Sequence, residues 1–194
     1  MRAAQFYRYF LGIRPHPHLY PAFRDLAEGA GQSAGLDRLH LTLCVIAECA
    51  ERDAFMERRV ERALEGQALH AFPVNLSRLV AGAQGAVART SGRQDDIQDF
   101  YRRLVRLLAP CGIEPPYRKS GLHPHMTLGY APCRPVLRGI SLAWYPDELL
   151  LIESEYGLTR HNVLGRWVLL PPRQPLLPFG QPIAAASPAR RSAA

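Results

Sequence analysis

Lysine is nearly absent from this 194-residue chain: of its 24 basic side chains, all but Lys119 are arginine. The formal charge is +7. Its positive surface is therefore almost entirely planar guanidinium, a group shaped for carboxylate and phosphate oxygens. That balance makes an acidic partner plausible without specifying a fold. Cysteine is sparse too. The four thiols, Cys44, Cys49, Cys111 and Cys133, form no C-x-x-C pair, which argues against zinc ribbons and thioredoxin-type redox sites. No apolar run approaches the ~18 residues that span a bilayer, and no membrane association is expected. The opening MRAAQFYRYFLGIRPHPH lacks an apolar stretch ending in a small-residue cleavage site. A cytoplasmic protein with reduced cysteines is the expectation. The hydrophobic fraction of 47% allows a sizeable core in one domain.

Apolar spacing predicts the elements. Strands are expected at 6–14, 38–47, 69–81, 85–90, 124–131, 136–144, 147–155 and 164–170. Helices are expected at 21–33, 52–65 and from Asp95 or Asp96, either of which offers a capping carboxylate, to Pro110. Residues 1–170 read as the folded domain. Residues 171–194 are rich in proline and alanine, carry three arginines and no acid, and are expected to be a disordered tail. Strands interleaved with helices and hairpins indicate an α+β layer structure rather than a doubly wound parallel sheet.

Threonine is scarce as well, with four in the chain, and two of them sit in matching tetrads: His40-Leu41-Thr42-Leu43 and His125-Met126-Thr127-Leu128. Composition alone predicts about 0.02 such tetrads in a chain of this length. On a strand, side chains alternate faces. Leu39, Leu41, Leu43 and Val45 are thus expected on the buried face, and His40, Thr42 and Cys44 on the other. Met126 and Leu128 oppose His125 and Thr127 in the same way. The tetrads lie 85 positions apart, one in each half of the domain, as two similar lobes around a shared groove would require. Two imidazoles there can divide acid and base work near neutral pH, and the hydroxyls can donate to phosphate oxygens.

Paired His-x-Thr-Leu tetrads resemble the 2H phosphoesterase superfamily, and within it the RNA 2′,3′-cyclic phosphodiesterase (2′-5′ RNA ligase) family. The opening YRYFLGIRP, the central FPVNLSRLVAG and the closing ELLLIESEYGLTRHNVLGRWVLL strengthen the resemblance. It implies a bilobal fold, two pseudo-symmetric lobes with antiparallel sheets and flanking helices around a central groove. It also implies metal-independent opening of a 2′,3′-cyclic phosphate to a 2′-phosphate. By the same resemblance His40 would be the acid and His125 the base, with Thr42 and Thr127 holding the phosphate. The family often places an arginine three positions after the second threonine, where this chain has Tyr130. Tyr130 itself, Arg118, Lys119 or Arg160 are candidates for that role, and His123 for lining the groove or orienting His125.

The His16-Pro17-His18 and His123-Pro124-His125 pairs lack the further ligands zinc needs, so neither a metal nor a cofactor is expected. His70 and His161 read as surface residues. Tyr7, Tyr9 and Phe10 read as core strand, with base stacking as the functional option. The expected partner is RNA with a 2′,3′-cyclic phosphate end, or a cyclic nucleotide, bound by a monomer. Ligation in reverse uses the same chemistry. The competing readings are a phosphodiesterase for a small-metabolite cyclic phosphate and a non-catalytic RNA-binding module.

Overall fold

The computed structural model describes residues 6–33, 35–117, 121–156 and 160–172. Arg118, Lys119 and the expected tail from 173 onward lie outside them. Eight strands form one sheet: β1 (Phe6–Ile13), β2 (Leu41–Cys49), β3 (Val74–Gly82), β4 (Gly85–Arg89), β5 (His125–Gly129), β6 (Val136–Trp144), β7 (Glu148–Tyr156) and β8 (Arg160–Val168). Among the described residues three α-helices accompany it: α1 (Tyr20–Gly29), α2 (Met56–Leu64) and α3 (Asp95–Leu108). The strand order is β6-β3-β4-β5-β2-β1-β7-β8, and every pairing between these strands is antiparallel.

The two expected lobes are the two halves of this sheet. Each contains four strands, and each places its tetrad on the innermost one, β2 or β5. The seam is thin: β2 and β5 pair only at Leu41 and Met126. One large core lies on one face. It joins strand residues such as Leu11, Leu41, Leu79 and Met126 to Phe23 of α1, Val60 of α2 and Leu104 of α3. All three helices therefore cover the same face. The opposite face, which carries both histidine-threonine pairs, is free of them. A smaller apolar cluster lies on that face: Phe10, Leu150 and Ile152, with Val45 and Val163 packed against it. This explains why β1 and β7 read as continuous apolar runs; they are buried on both sides.

Helix ends follow local chemistry. α1 stops at Gly29, short of the expected 33, because Gly31 adopts φ +70°. Gln32 N–H then donates to Ala27 O at 2.8 Å, and Gly31 N–H to Glu28 O at 2.9 Å, the bonds of a Schellman cap. Neither Asp95 nor Asp96 caps α3. Both fall in its first turn, where a carboxylate favours the helix dipole, and Gln94 precedes them without a side-chain cap bond. Residues 36–38 form a short 3-10 turn instead of the start of β2, and 69–73 precede β3 with only a bridge at His70. β8 begins at Arg160, earlier than expected. All four cysteines are free.

Candidate active site

Both tetrad strands carry the same irregularity. Against β1, Gly12 pairs with Thr42 and Leu11 with Cys44, so Leu43 is an extra residue on β2. Against β4, Val87 pairs with Thr127 and Ala86 with Gly129, so Leu128 is the extra residue on β5. In each tetrad the final leucine is therefore the bulge, a device that bends the strand and re-aims its side chains. A second bulge on β2 leaves Ile46 unpaired with β1. These bulges break the simple alternation expected for β2. Cys44 joins the main core with Leu43, and Val45 turns to the groove face beside Phe10. Burial pushes the Cys44 thiol up to about 12, which leaves it inert as a nucleophile.

Extending the Leu41–Met126 register by one residue sets His40 across from Thr127 and Thr42 across from His125. The four side chains thus share one face around a local twofold. Each imidazole is held in the same way. His40 Nδ1 lies 2.7 Å from Arg38 O, and His125 Nδ1 lies 2.9 Å from His123 O. A carbonyl only accepts, so each Nδ1 carries the proton. Each Nε2 is then left for chemistry, a lone pair in the neutral ring and a donor in the charged one. His123 acts here through its backbone carbonyl; its side chain is exposed.

The surroundings of the two rings differ. His40 is half-buried and stacks on Phe10 with centroids 4.8 Å apart. His161 meets His40 edge-on at 4.9 Å and Phe10 at 5.9 Å. Burial, helped by the nearby charges of His161, Arg14 and His125, pulls the His40 pKa down to about 4 despite its carbonyl bond. Burial also lowers His161, aided by Arg38 and Arg14. His161 is therefore half-buried in the groove and not the surface residue expected from sequence. Its identity gave no signal, because it lies 121 positions from His40 and only the sheet's curl brings them together. Phe10 likewise serves as the bed for His40 and not as an exposed stacking platform. Tyr9 is buried in the main core and donates to Glu153 at 2.8 Å.

His125 is exposed. Its cross-strand partner is Arg89, and Arg89 in turn pairs with Arg78 on β3. Directly opposed residues share a face, so these arginines form a row running outward from His125. Arg89 also lines a cleft of roughly 350 Å³ with Arg93, Gln98 and His123. Tyr130 follows β5 and is 74% exposed; Arg160 is exposed at the far edge of the sheet. Neither touches the tetrads in any recorded contact. His16 and His18 face one another, Nδ1 to Nδ1 at 2.7 Å. Among the described residues no group of three or more His, Cys, Asp or Glu side chains is placed to hold a metal ion.

A buried amide positions the second tetrad strand. Gln32, at the end of α1, donates through Nε2 to Ala131 O at 2.7 Å and accepts at Oε1 from Ala131 N–H at 3.1 Å. Gly129 leaves room for it: a Cβ there would lie 2.1 Å from Gln32 Oε1. Gly85 is constrained as well, since it has φ +98° and a Cβ would lie 2.2 Å from Gly129 O.

LigT from E. coli, solved with 3′-AMP, is similar in fold: 21% identity, TM-score 0.64, covering 84% of this chain and 98% of that one. A Thermus thermophilus protein, TT0787, matches at 16% identity and TM-score 0.64 over 84% of this chain and 97% of its own. A structure described as a phosphoesterase matches at 20% identity and TM-score 0.64, covering 86% of this chain and 99% of that one. No curated protein matches the sequence. The sequence profile of the 2′-5′ RNA ligase superfamily spans residues 15–151, both tetrads included, and the chain belongs to that superfamily.

Proposed function

We propose that the groove opens 2′,3′-cyclic phosphates, at RNA ends or on nucleotides, to 2′-phosphates by paired-histidine catalysis. The observation that carries this is the local twofold at the seam. Two imidazoles with fixed Nδ1 protons and two hydroxyls converge on one helix-free face. One Nε2 takes a proton from water as the water oxygen bonds to phosphorus. The other Nε2 gives its proton to the 3′ oxygen as the P–O3′ bond breaks. Thr42 and Thr127 donate to the non-bridging oxygens, where charge builds in the transition state. An RNA 5′-hydroxyl in place of water, its oxygen bonding to phosphorus as the same P–O3′ bond breaks, forms a 2′-5′ linkage. The chemistry calls for no metal ion. The test is turnover of 2′,3′-cyclic CMP in EDTA by the wild-type chain and by His40→Ala and His125→Ala. Full activity of the double variant would refute the proposal.

The low pKa of His40 favours a second assignment of roles. With its pKa near 4, His40 is neutral in the free protein at pH 7 and suited to accept the proton from water. His125 would then be the acid. The family resemblance assigns the reverse, which requires the bound phosphate to raise His40 and load it with a proton. A substrate with a good leaving group separates the two, because it needs no acid. It should restore turnover to whichever alanine variant lacks the acid and leave the other impaired.

A further inference from the structure

We propose that Arg14 and Arg89 are a matched pair of phosphate-holding residues, one beside each catalytic histidine. The proposal rests on the reading of the groove as a phosphodiester site. Its first support is register. In the second half, Val87 pairs with Thr127, Ala88 with Met126 and Arg89 with His125. In the first half, Gly12 pairs with Thr42 and Ile13 with Leu41. Continuing that register by one residue sets Arg14 against His40, as Arg89 pairs with His125. The local twofold that relates the tetrads thus also relates these two arginines.

The second support is an unmet bond. Arg14 Nε is one of three buried side-chain nitrogens or oxygens among the described residues with no hydrogen-bond partner, and His161 Nδ1, in the same groove, is another. A buried donor without an acceptor is costly to the fold unless something supplies one. An anion seated between His40 and Arg14 would supply it. The backbone at Arg14 is already fixed, since Trp144 Nε1 donates to Arg14 O at 3.2 Å. Arg14 also acts electrostatically on both His40 and His161, so its charge is felt at both rings.

The third support is charge. The four tetrad side chains carry no fixed positive charge when both rings are neutral. A cyclic phosphodiester is anionic throughout the reaction, and guanidinium offers two parallel donors to its oxygens. Among the described residues no carboxylate is ion-paired with either Arg14 or Arg89, whereas Arg8, Arg52, Arg59, Arg93, Arg102 and Arg166 are all ion-paired.

The test uses the full chain and inorganic phosphate as probe, followed by NMR or calorimetry, beside steady-state kinetics on 2′,3′-cyclic CMP. Arg14→Gln and Arg89→Gln are each expected to weaken phosphate binding about tenfold and to raise KM by a similar factor. Arg14→Lys and Arg89→Lys should recover part of the loss, and an unchanged thermal melt for the lysine variants separates lost contact from lost fold. Phosphate binding within twofold of wild type in both glutamine variants overturns the pair, as does a loss confined to one of them. If the wild-type chain binds phosphate through both arginines but turns over no cyclic phosphate, the site stands and the reading of its reaction falls.

Discussion

The two halves of the sheet repeat one geometry in two environments. Each presents a histidine, a threonine and a bulged leucine in the same register. Yet His40 lies over an apolar floor made by Phe10, Leu150 and Ile152, while His125 is exposed at the start of its strand. The bracing differs too. In the first half, the buried Glu153 accepts from Tyr9, Arg52 and Asn162. In the second half, the neutral Gln32 amide clamps Ala131. Repetition of sequence sets where the groups stand. Burial, which the tetrads do not encode, sets how readily His40 takes a proton.

The largest effect should come from the repeated groups themselves. His40→Ala and His125→Ala are each expected to lower kcat by roughly 10²-fold or more, read from initial rates on 2′,3′-cyclic CMP. Their effects should not add, because the two rings act on one transition state. Equal activity of a single variant and wild type would break the comparison at its root.

Next is the environment. Phe10→Ala is expected to destabilise the fold by about 3 kcal/mol, measured by denaturant unfolding. It should also raise the His40 pKa from about 4 toward the ordinary 6.5, followed by NMR. The folded value lies below the unfolded one, so the unfolded chain takes up this proton first. His40 therefore costs the fold stability as pH falls from 6.5 to about 4. Glu153 acts in the same direction. Burial alone would raise it, but the hydrogen bonds from Arg52, Asn162 and Tyr9 hold it below the usual carboxylate range, and acid removes that support. The first half should accordingly lose amide-exchange protection at a higher pH than the second as the solution is acidified.

Gln32→Ala should cost about 1–3 kcal/mol by removing the two hydrogen bonds that clamp Ala131. It should lower kcat while leaving the His40 titration in place, since it acts only on β5. The smallest change is expected at Arg78, at the outer end of the row from His125. Arg78→Ala should reduce the salt slope of RNA-end binding by about one unit and leave turnover of the mononucleotide unaltered.

Much of this was readable in the sequence, for reasons particular to each element. The tetrads announced themselves because His-x-Thr-Leu is improbable in a chain with four threonines. α3 was legible from Ile97, Phe100, Leu104 and Leu108 at helical spacing, and β6 from its bounding turns. What stayed hidden depended on pairing between distant segments. The bulges at Leu43 and Leu128 appear only once β1 and β4 set the register, so simple alternation puts Cys44 and Val45 on the wrong faces. Arg14 and Arg89 look like two more arginines among many until the strands lie side by side. His161 reaches His40 across the width of a half-sheet, a contact no local pattern foretells.

We propose that the seam between β2 and β5 is a two-histidine site for cyclic phosphate. Product analysis after incubation with 2′,3′-cyclic CMP in EDTA tests it most directly. The expected product is 2′-CMP, formed by the wild-type chain and lost when both His40 and His125 are replaced. Formation of 3′-CMP, or no product from the wild-type chain, would contradict it.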